Sequence, residues 1–206
     1  MSSAPSSSTD VGATRVSRIG LVSDTHGWYD PRLVQALGGS EVILHAGDVG
    51  SPEVLNELRL IAPVHAVRGN VDSPEAGWPL TLTVTLGGLT IHLLHVLPVA
   101  QSDLAAGARS AQRLQRLSKP AERLLRAFAP SIEVVVFGHS HSPCLFALGG
   151  VMWVNPGSAG PKRFKLPRTC ALLEISGDRI TATVRSLEEH RHGLPERLEM
   201  TRKEAR

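Results

Sequence analysis

Short apolar runs recur along the chain, and each stops abruptly at a polar, glycine-bearing break. Runs of this length between turn residues read as buried strands. Residues 16–22 end in Ser23-Asp24-Thr25-His26-Gly27, residues 41–46 in Gly47-Asp48, and residues 64–67 in Gly69-Asn70-Val71-Asp72. Between them lie two helix signals. Residues 31–37 follow Asp30 as an N-cap, and residues 51–61 open with Ser51 as cap and Pro52 at the first helical position. The order is therefore β-α-β-α-β, with polar residues gathered just past each strand. Ligands of open α/β sheets bind at the carboxyl ends of strands, so the arrangement points at a site.

After this the pattern shifts. Residues 80–86 and 89–95, joined by Gly87-Gly88, predict a β-hairpin. Residues 102–128 are rich in Ala, Leu and Arg and read as helical, interrupted near Pro120. Residues 132–137 form a strand that runs into Gly138-His139-Ser140-His141. Further strands are expected at 145–148, 152–154, 169–175 and 180–187, with turns at Gly149-Gly150 and Gly177-Asp178. The whole predicts a mixed α/β sandwich of two sheets with helices outside. Its expected limits are residues 16–187. Residues 1–15, rich in Ser, read as a disordered leader, and the charged stretch 188–206 as a frayed or weakly helical tail.

Composition narrows the class only a little. The 206 residues suit one domain, and 42% hydrophobic content is ordinary for a globular protein. A net charge of +3 is too mild to imply nucleic acid. Cys144 and Cys170 stand far apart in apolar runs, which fits buried thiols in a reduced compartment rather than a disulfide. No apolar run approaches the roughly 20 residues that a membrane helix needs. The N-terminus lacks the basic and apolar regions of a signal peptide, so a cytoplasmic location is expected.

The chemistry lies at the strand ends. Asp24, His26, Asp48, Asn70, His95, His139 and His141 are all expected there. Carboxylates, an amide oxygen and imidazoles are ligands for divalent cations. Asp24 and His26 are two residues apart, as are His139 and His141. On extended backbone each pair would face one point. Singly, each residue has an ordinary reading as a loop or turn residue. A rival reading takes Ser140 as a nucleophile, because Gly138–Ser142 is one residue short of a G-x-S-x-G elbow. Its context argues otherwise: the final glycine is missing, and Ser142-Pro143 leads into a strand rather than a helix.

Taken in order, Asp24-Thr25-His26, Gly47-Asp48, Gly69-Asn70-Val71-Asp72, His95 and Gly138-His139-Ser140-His141 resemble the calcineurin-like metallophosphoesterase superfamily. Asn155-Pro156-Gly157-Ser158 is similar to a signature of its small YfcE-type phosphodiesterase branch. The resemblance covers about residues 16–186 and implies a four-layer α-β-β-α sandwich of two mixed sheets. It also implies two divalent metal ions, manganese first, with nickel, iron, zinc or magnesium open. Asp24, His26 and His141 would hold the first ion, Asn70, His95 and His139 the second, and Asp48 would bridge them. A hydroxide between the ions would then attack the phosphorus of a small-molecule phosphate ester, most simply a diester. Asn70, Asp72 and His95 are the candidate catalytic residues.

Some positions depart from that pattern. Val96 follows His95 where the family usually has glycine, so His92 is a rival to His95. The two have opposite strand parity, and the strand-end position favours His95. Val71 stands where other branches carry a histidine, a presumed general acid. Asp72 is left either to protonate the leaving group or to orient a ligand. His45 reads as a core histidine or as support for the ligands. Arg68, Arg163 and Arg168 are either phosphate contacts or surface charges, and His65, His190 and His192 read as solvated.

Two other functions share the fold. One is a non-catalytic interaction module like the retromer subunit, whose metal site is damaged; here every ligand position carries a competent side chain. The other is a nuclease, for which Arg109, Arg113 and Arg116 would share a helix face. No aromatics interleave with those charges, so there is no base-stacking platform. Nucleic acid and membrane are not expected partners, and a homo-oligomer is left open.

Overall fold

A computed structural model of the chain describes residues 17–99, 119–126, 128–162, 166–188, 194 and 197–202. The expected leader at 1–15, most of the 102–128 stretch, Arg109, Arg113, Arg116, Arg163, His190 and His192 lie outside these residues.

The first half alternates as expected: β1 (Ser17–Val22), α1 (Leu33–Ala36), β2 (Val42–His45), α2 (Pro52–Arg59) and β3 (Val64–Ala66). A short 3-10 turn (Pro74–Ala76) leads to the hairpin of β4 (Thr81–Leu86) and β5 (Leu89–Leu94). Then follow α3 (Lys119–Arg126), β6 (Val134–Val136), β7 (Cys144–Leu148), β8 (Val151–Asn155), β9 (Thr169–Ser176), β10 (Arg179–Ser186) and β11 (Arg197–Thr201). Pro120 falls in the first turn of α3, where its missing N–H breaks no helical bond.

Two mixed sheets result. One has the order β11-β10-β9-β1-β2-β3, and the other β4-β5-β6-β8-β7. In the first, β1, β2 and β3 run parallel, and β9 closes antiparallel on β1. In the second, β5, β6 and β8 run parallel. Period-two alternation then divides the side chains into layers. Ile19, Leu21, Leu44, Leu93, Val136 and Val154 fill the space between the sheets. Val22, Ile43, Cys170 and Leu172 point the other way and pack with Leu33 and Leu37 near α1 and with Leu55 and Leu58 of α2. On the far face, Val135, Phe137 and Trp153 pack with Leu125 of α3 and Phe128. This is the expected α-β-β-α sandwich. Because both faces of the central strands are covered, those strands read as continuous apolar runs.

The stretch from Glu188 departs from expectation. It contains β11, an edge strand registered against β10 with Ile180 opposite Met200. Met200 belongs to the inter-sheet core and Leu198 packs against it, while Arg197 and Glu199 pair outside. Two apolar positions among charges are a faint strand signal, and the pairing with β10 supplies what local sequence lacks.

Candidate metal centre

Five non-glycine residues have positive φ among the described residues: Asp24 (55°), His26 (48°), Asp48 (53°), His139 (72°) and His141 (55°). All five are proposed ligands. Left-handed backbone is costly for such residues and persists only where the surroundings enforce it. This corrects the expectation that extended backbone aligns Asp24 with His26 and His139 with His141. The alignment comes from tight left-handed turns just past the strands.

Backbone hydrogen bonds hold these turns together. Asp24 N–H donates to the Gly47 carbonyl (3.0 Å) and His26 N–H to the Asp48 carbonyl (2.9 Å). Gly138 N–H donates to the His95 carbonyl (3.0 Å), and Gly160 N–H to the Asp24 carbonyl (3.2 Å). Gly69 lies so close to Asp48 that a Cβ there would collide with its carboxylate, and a Cβ on Gly138 would strike the Ser23 hydroxyl.

The side chains converge in two overlapping groups. Asp24, His26 and His141 place one ligand atom each within 4.8 Å of one another, as do Asp24, Asp48 and His95. The His26 and His141 Nε2 atoms lie 3.1 Å apart, and His141 Nε2 is 3.4 Å from Asp24 Oδ1. Asn70 Oδ1 sits 3.2 Å from His95 Nε2 and 2.9 Å from His139 Nδ1. Asp48 stands between the groups. Its Oδ2 is 3.7 Å from His26 Nε2 and its Oδ1 is 3.2 Å from His95 Nε2. All seven ligands expected from the sequence thus meet in one place.

These donors fit divalent cations. Asp24 Oδ2 accepts from the Ser23 hydroxyl (2.6 Å) and His139 N–H (3.2 Å). Its Oδ1 is buried without a hydrogen bond and faces imidazoles. A buried carboxylate oxygen is costly to leave so, which suits a cation ligand. His95 Nδ1 contacts the Ala46 carbonyl at 2.8 Å. Such a contact requires Nδ1–H, leaving the neutral ring's Nε2 lone pair to face the cluster.

The electrostatics of the protein alone are divided. Burial pushes Asp24 up to about 6. Burial would raise Asp48 as well, but the His95 hydrogen bond, the Val71 N–H and nearby His26 bring it down to about 2. Burial opposes charge on His95, yet the Asp48 hydrogen bond and the Asp24 charge raise its pKa. The cluster therefore keeps at least one firm carboxylate at neutral pH.

The remaining candidates fall around it. Asp72 is buried, and its carboxylate accepts backbone N–H groups of Val49 (3.1 Å), Gly50 (2.7 Å) and Gly69 (2.8 Å). It ties the Asp48 loop to the Asn70 loop and is turned to the backbone. His92 contacts Thr83 Oγ1 at 2.8 Å and packs edge-on against Phe128, away from the ligands, as strand parity requires. Arg168 pairs with Asp30 and Glu188 at 3.2 Å each, which occupies its guanidinium. His65 is exposed. Cys170 is buried, Cys144 is half-buried, and the two form no disulfide.

Ser140 is a strut for the histidine loop. Its hydroxyl accepts from Asn155 Nδ2 (3.0 Å) and from Ser142 N–H (3.3 Å). Asn155 Nδ2 also donates to the Gly138 carbonyl (3.0 Å), and its Oδ1 accepts from Gly157 N–H (2.8 Å). Ser158 Oγ donates to the Asp24 carbonyl (2.9 Å). The Asn-Pro-Gly-Ser turn thus supports the Asp24 and His139–His141 loops together. The turn is visible in the sequence, but its partners at Gly138, Ser140 and the distant Asp24 are not.

A two-sheet α/β sandwich with an Asp-His-Asn cluster on its strand ends, its carboxylates buried, defines a metal-binding class of protein. Residues 18–178 match the family model of the calcineurin-like phosphoesterase superfamily domain, and the chain belongs to that family. It is 28% identical over 172 residues to a probable metallophosphoesterase of Methanothermobacter thermautotrophicus, covering 81% of this chain and 90% of that one. Among solved structures it resembles Vps29 of Chaetomium thermophilum (TM-score 0.66, 21% identity, 90% of this chain and 95% of that one). It also resembles YfcE, a phosphoesterase from E. coli (TM-score 0.55, 21% identity, 88% and 98%). These two likenesses concern the fold. No helix among the described residues is long and apolar enough to cross a membrane.

Proposed function

We propose that the chain is a phosphodiesterase that works with two divalent ions, manganese first, on a small-molecule phosphate ester. The observation that carries this is Asp48, whose two oxygens face imidazoles of different groups, His26 and His95. Asp24, His26 and His141 would hold one ion, Asn70, His95 and His139 the other, and Asp48 both. Such ions lower the pKa of water and neutralise charge on phosphoryl oxygens. The chain's own part is to fix the ligands. Ser23 holds Asp24, Ala46 orients His95, and Asp72 locks the loops on either side of Asp48. The water oxygen bonds to phosphorus as the ester oxygen leaves with its electron pair.

Likeness to Vps29 favours a second reading, a protein-binding role for the same fold. The filled ligand set supports turnover over that reading. Asp48→Asn, assayed with excess Mn²⁺ on bis(p-nitrophenyl) phosphate, is expected to lose at least about 100-fold in kcat/KM, beyond the usual effect of losing a supporting contact. Undiminished hydrolysis would overturn the proposal.

A further inference from the structure

The outer face of β10 is polar by sequence. Ile180, Ala182 and Val184 point into the core between the sheets, which turns Thr181, Thr183 and Arg185 the other way. On β11, Arg197 stands opposite Thr183 and so joins that face. Arg185, two residues beyond Thr183, is the diagonal neighbour of Arg197, a separation of about 7–8 Å between strands. A cavity of about 760 Å³ opens on this face. Arg32, Gln35 and Ala36 at α1 line one part of it, and residues 183–188, Leu194 and Arg197 line the rest. It shares no residue with the ligand cluster.

The cavity is cationic. Arg32, Arg185 and Arg197 line it together with one acid, Glu188. Glu188, Asp30 and Glu199 belong to the lining or pair with its arginines, and each is shared between two cations. Asp30 pairs with Arg32 and Arg168, Glu188 with Lys162 and Arg168, and Glu199 with Arg179 and Arg197. The sequence linking Glu188 to Arg197 adds Glu189, Arg191 and Glu196, which still leaves the cations in excess. Two guanidiniums are braced. Arg32 forks Asp30 through Nε (2.9 Å) and Nη2 (2.7 Å), and Arg197 Nη2 donates to Glu199 (3.0 Å). Arg185 stands opposite Cys170 in the β9–β10 register. Burial pushes the Cys170 thiol up to about 12, while Arg185 lowers it and Asp30 raises it, so the Asp30–Arg32 pair and Arg185 stand around one point.

We propose that this cavity is a binding site separate from the ligand cluster, and that it takes a small molecule bearing a diphosphate group. Its volume falls within the roughly 300–1,000 Å³ of small-molecule sites. A single carboxylate matches one guanidinium fork, whereas a diphosphate carries acceptor oxygens on two phosphorus atoms and serves two. Ala36, Leu187 and Leu194 supply an apolar wall for the body of such a molecule.

The test is calorimetric titration of the metal-free full chain with pyrophosphate, which is expected to show a saturable site. Arg185→Gln and Arg197→Gln, both at exposed positions, should each weaken it by about tenfold or more, the scale of losing a charged hydrogen bond. Arg59→Gln, on the exposed side of α2, and Asp48→Asn, in the ligand cluster, should leave it within about twofold, because remote charges are screened. ADP separates the sources: tighter binding than pyrophosphate marks an organic diphosphate and equal binding an inorganic one, and either supports the site. Absence of saturable binding would overturn the proposal. So would a loss in Arg59→Gln equal to that in Arg185→Gln, a loss in Asp48→Asn alone, or tighter binding of the tricarboxylate tricarballylate than of pyrophosphate.

Discussion

His45 Nε2 lies 2.9 Å from the Thr25 hydroxyl, in a position fully closed to solvent. His45 Nδ1 accepts the Gly47 N–H (3.2 Å), so the proton sits on Nε2 and is donated to Thr25. Thr25 in turn donates to the Val49 carbonyl (3.0 Å). One imidazole thereby ties the turn carrying Asp24 and His26 to the turn carrying Asp48. Removing this tie loosens the ligands without removing any of them. His45→Phe is expected to weaken Mn²⁺ binding by about 10- to 100-fold, the usual effect of losing a support to metal ligands. His45→Gln, which can still donate and accept, should recover part of it. Calorimetric titration of the purified variants measures both.

Burial also makes His45 a source of acid sensitivity. Its pKa falls from 6.5 to about 3 in the folded chain, first because burial penalises the charged ring. Between those values the unfolded chain binds a proton that the folded chain refuses. Stability supplied by the neutral ring is therefore lost as pH falls from about 6.5 toward about 3, with a slope of at most about 1.4 kcal/mol per pH unit. Asp24 works in the opposite sense: its pKa rises from 3.8 to about 6, so its contribution grows as pH falls through that window. The difference between wild type and His45→Gln isolates the histidine. Urea denaturation of metal-free protein from pH 4 to 7 should show a steeper loss on acidification in the wild type than in the variant.

Asp72 separates a supporting part from an acid's part. Asp72→Ala leaves the N–H groups of Val49, Gly50 and Gly69 without their acceptor. The expected cost is about 1–3 kcal/mol for each such group that water does not reach. Activity should fall with metal affinity, since Asp48 and Asn70 sit on the two loops that Asp72 joins. Asp72→Asn keeps one oxygen acceptor and should recover part of the stability. The alkaline limb of the kcat pH profile should stay where it is in both variants. If Asp72 protonated the leaving group, that limb would disappear.

The alternation of apolar runs and polar breaks made the sandwich legible, because the central strands are covered on both faces and cannot tolerate polar interruptions. The ligands were legible for a related reason: Asp24, Asp48, Asn70, His95 and the His139–His141 pair each sit where a run stops. The backbone that aims them was not. Positive φ at Asp24, His26, Asp48, His139 and His141 is imposed by neighbouring turns and by close approaches at Gly69 and Gly138. Those neighbours are distant in the chain, and no local pattern encodes them. Strand β11 was hidden likewise, since Leu198 and Met200 acquire meaning only against β10. Asp72 could be noticed from sequence as a carboxylate beside Asn70, but its three backbone partners could not.

Ser140 and Asn155 supply the last contrast. A nucleophilic serine would be indispensable, whereas a strut is replaceable if its neighbours hold. Asn155 Nδ2 donates both to the Ser140 hydroxyl and to the Gly138 carbonyl. Ser140→Ala therefore leaves the asparagine anchored to the histidine loop at Gly138. Asn155→Ala removes that anchor, and with it the acceptor for Gly157 N–H in the turn whose Ser158 reaches Asp24. Hydrolysis of bis(p-nitrophenyl) phosphate with saturating Mn²⁺ should fall by no more than about threefold in Ser140→Ala and by about tenfold or more in Asn155→Ala, the scale of losing a support to metal ligands. Complete loss in Ser140→Ala with metal binding retained would return the serine to the chemistry.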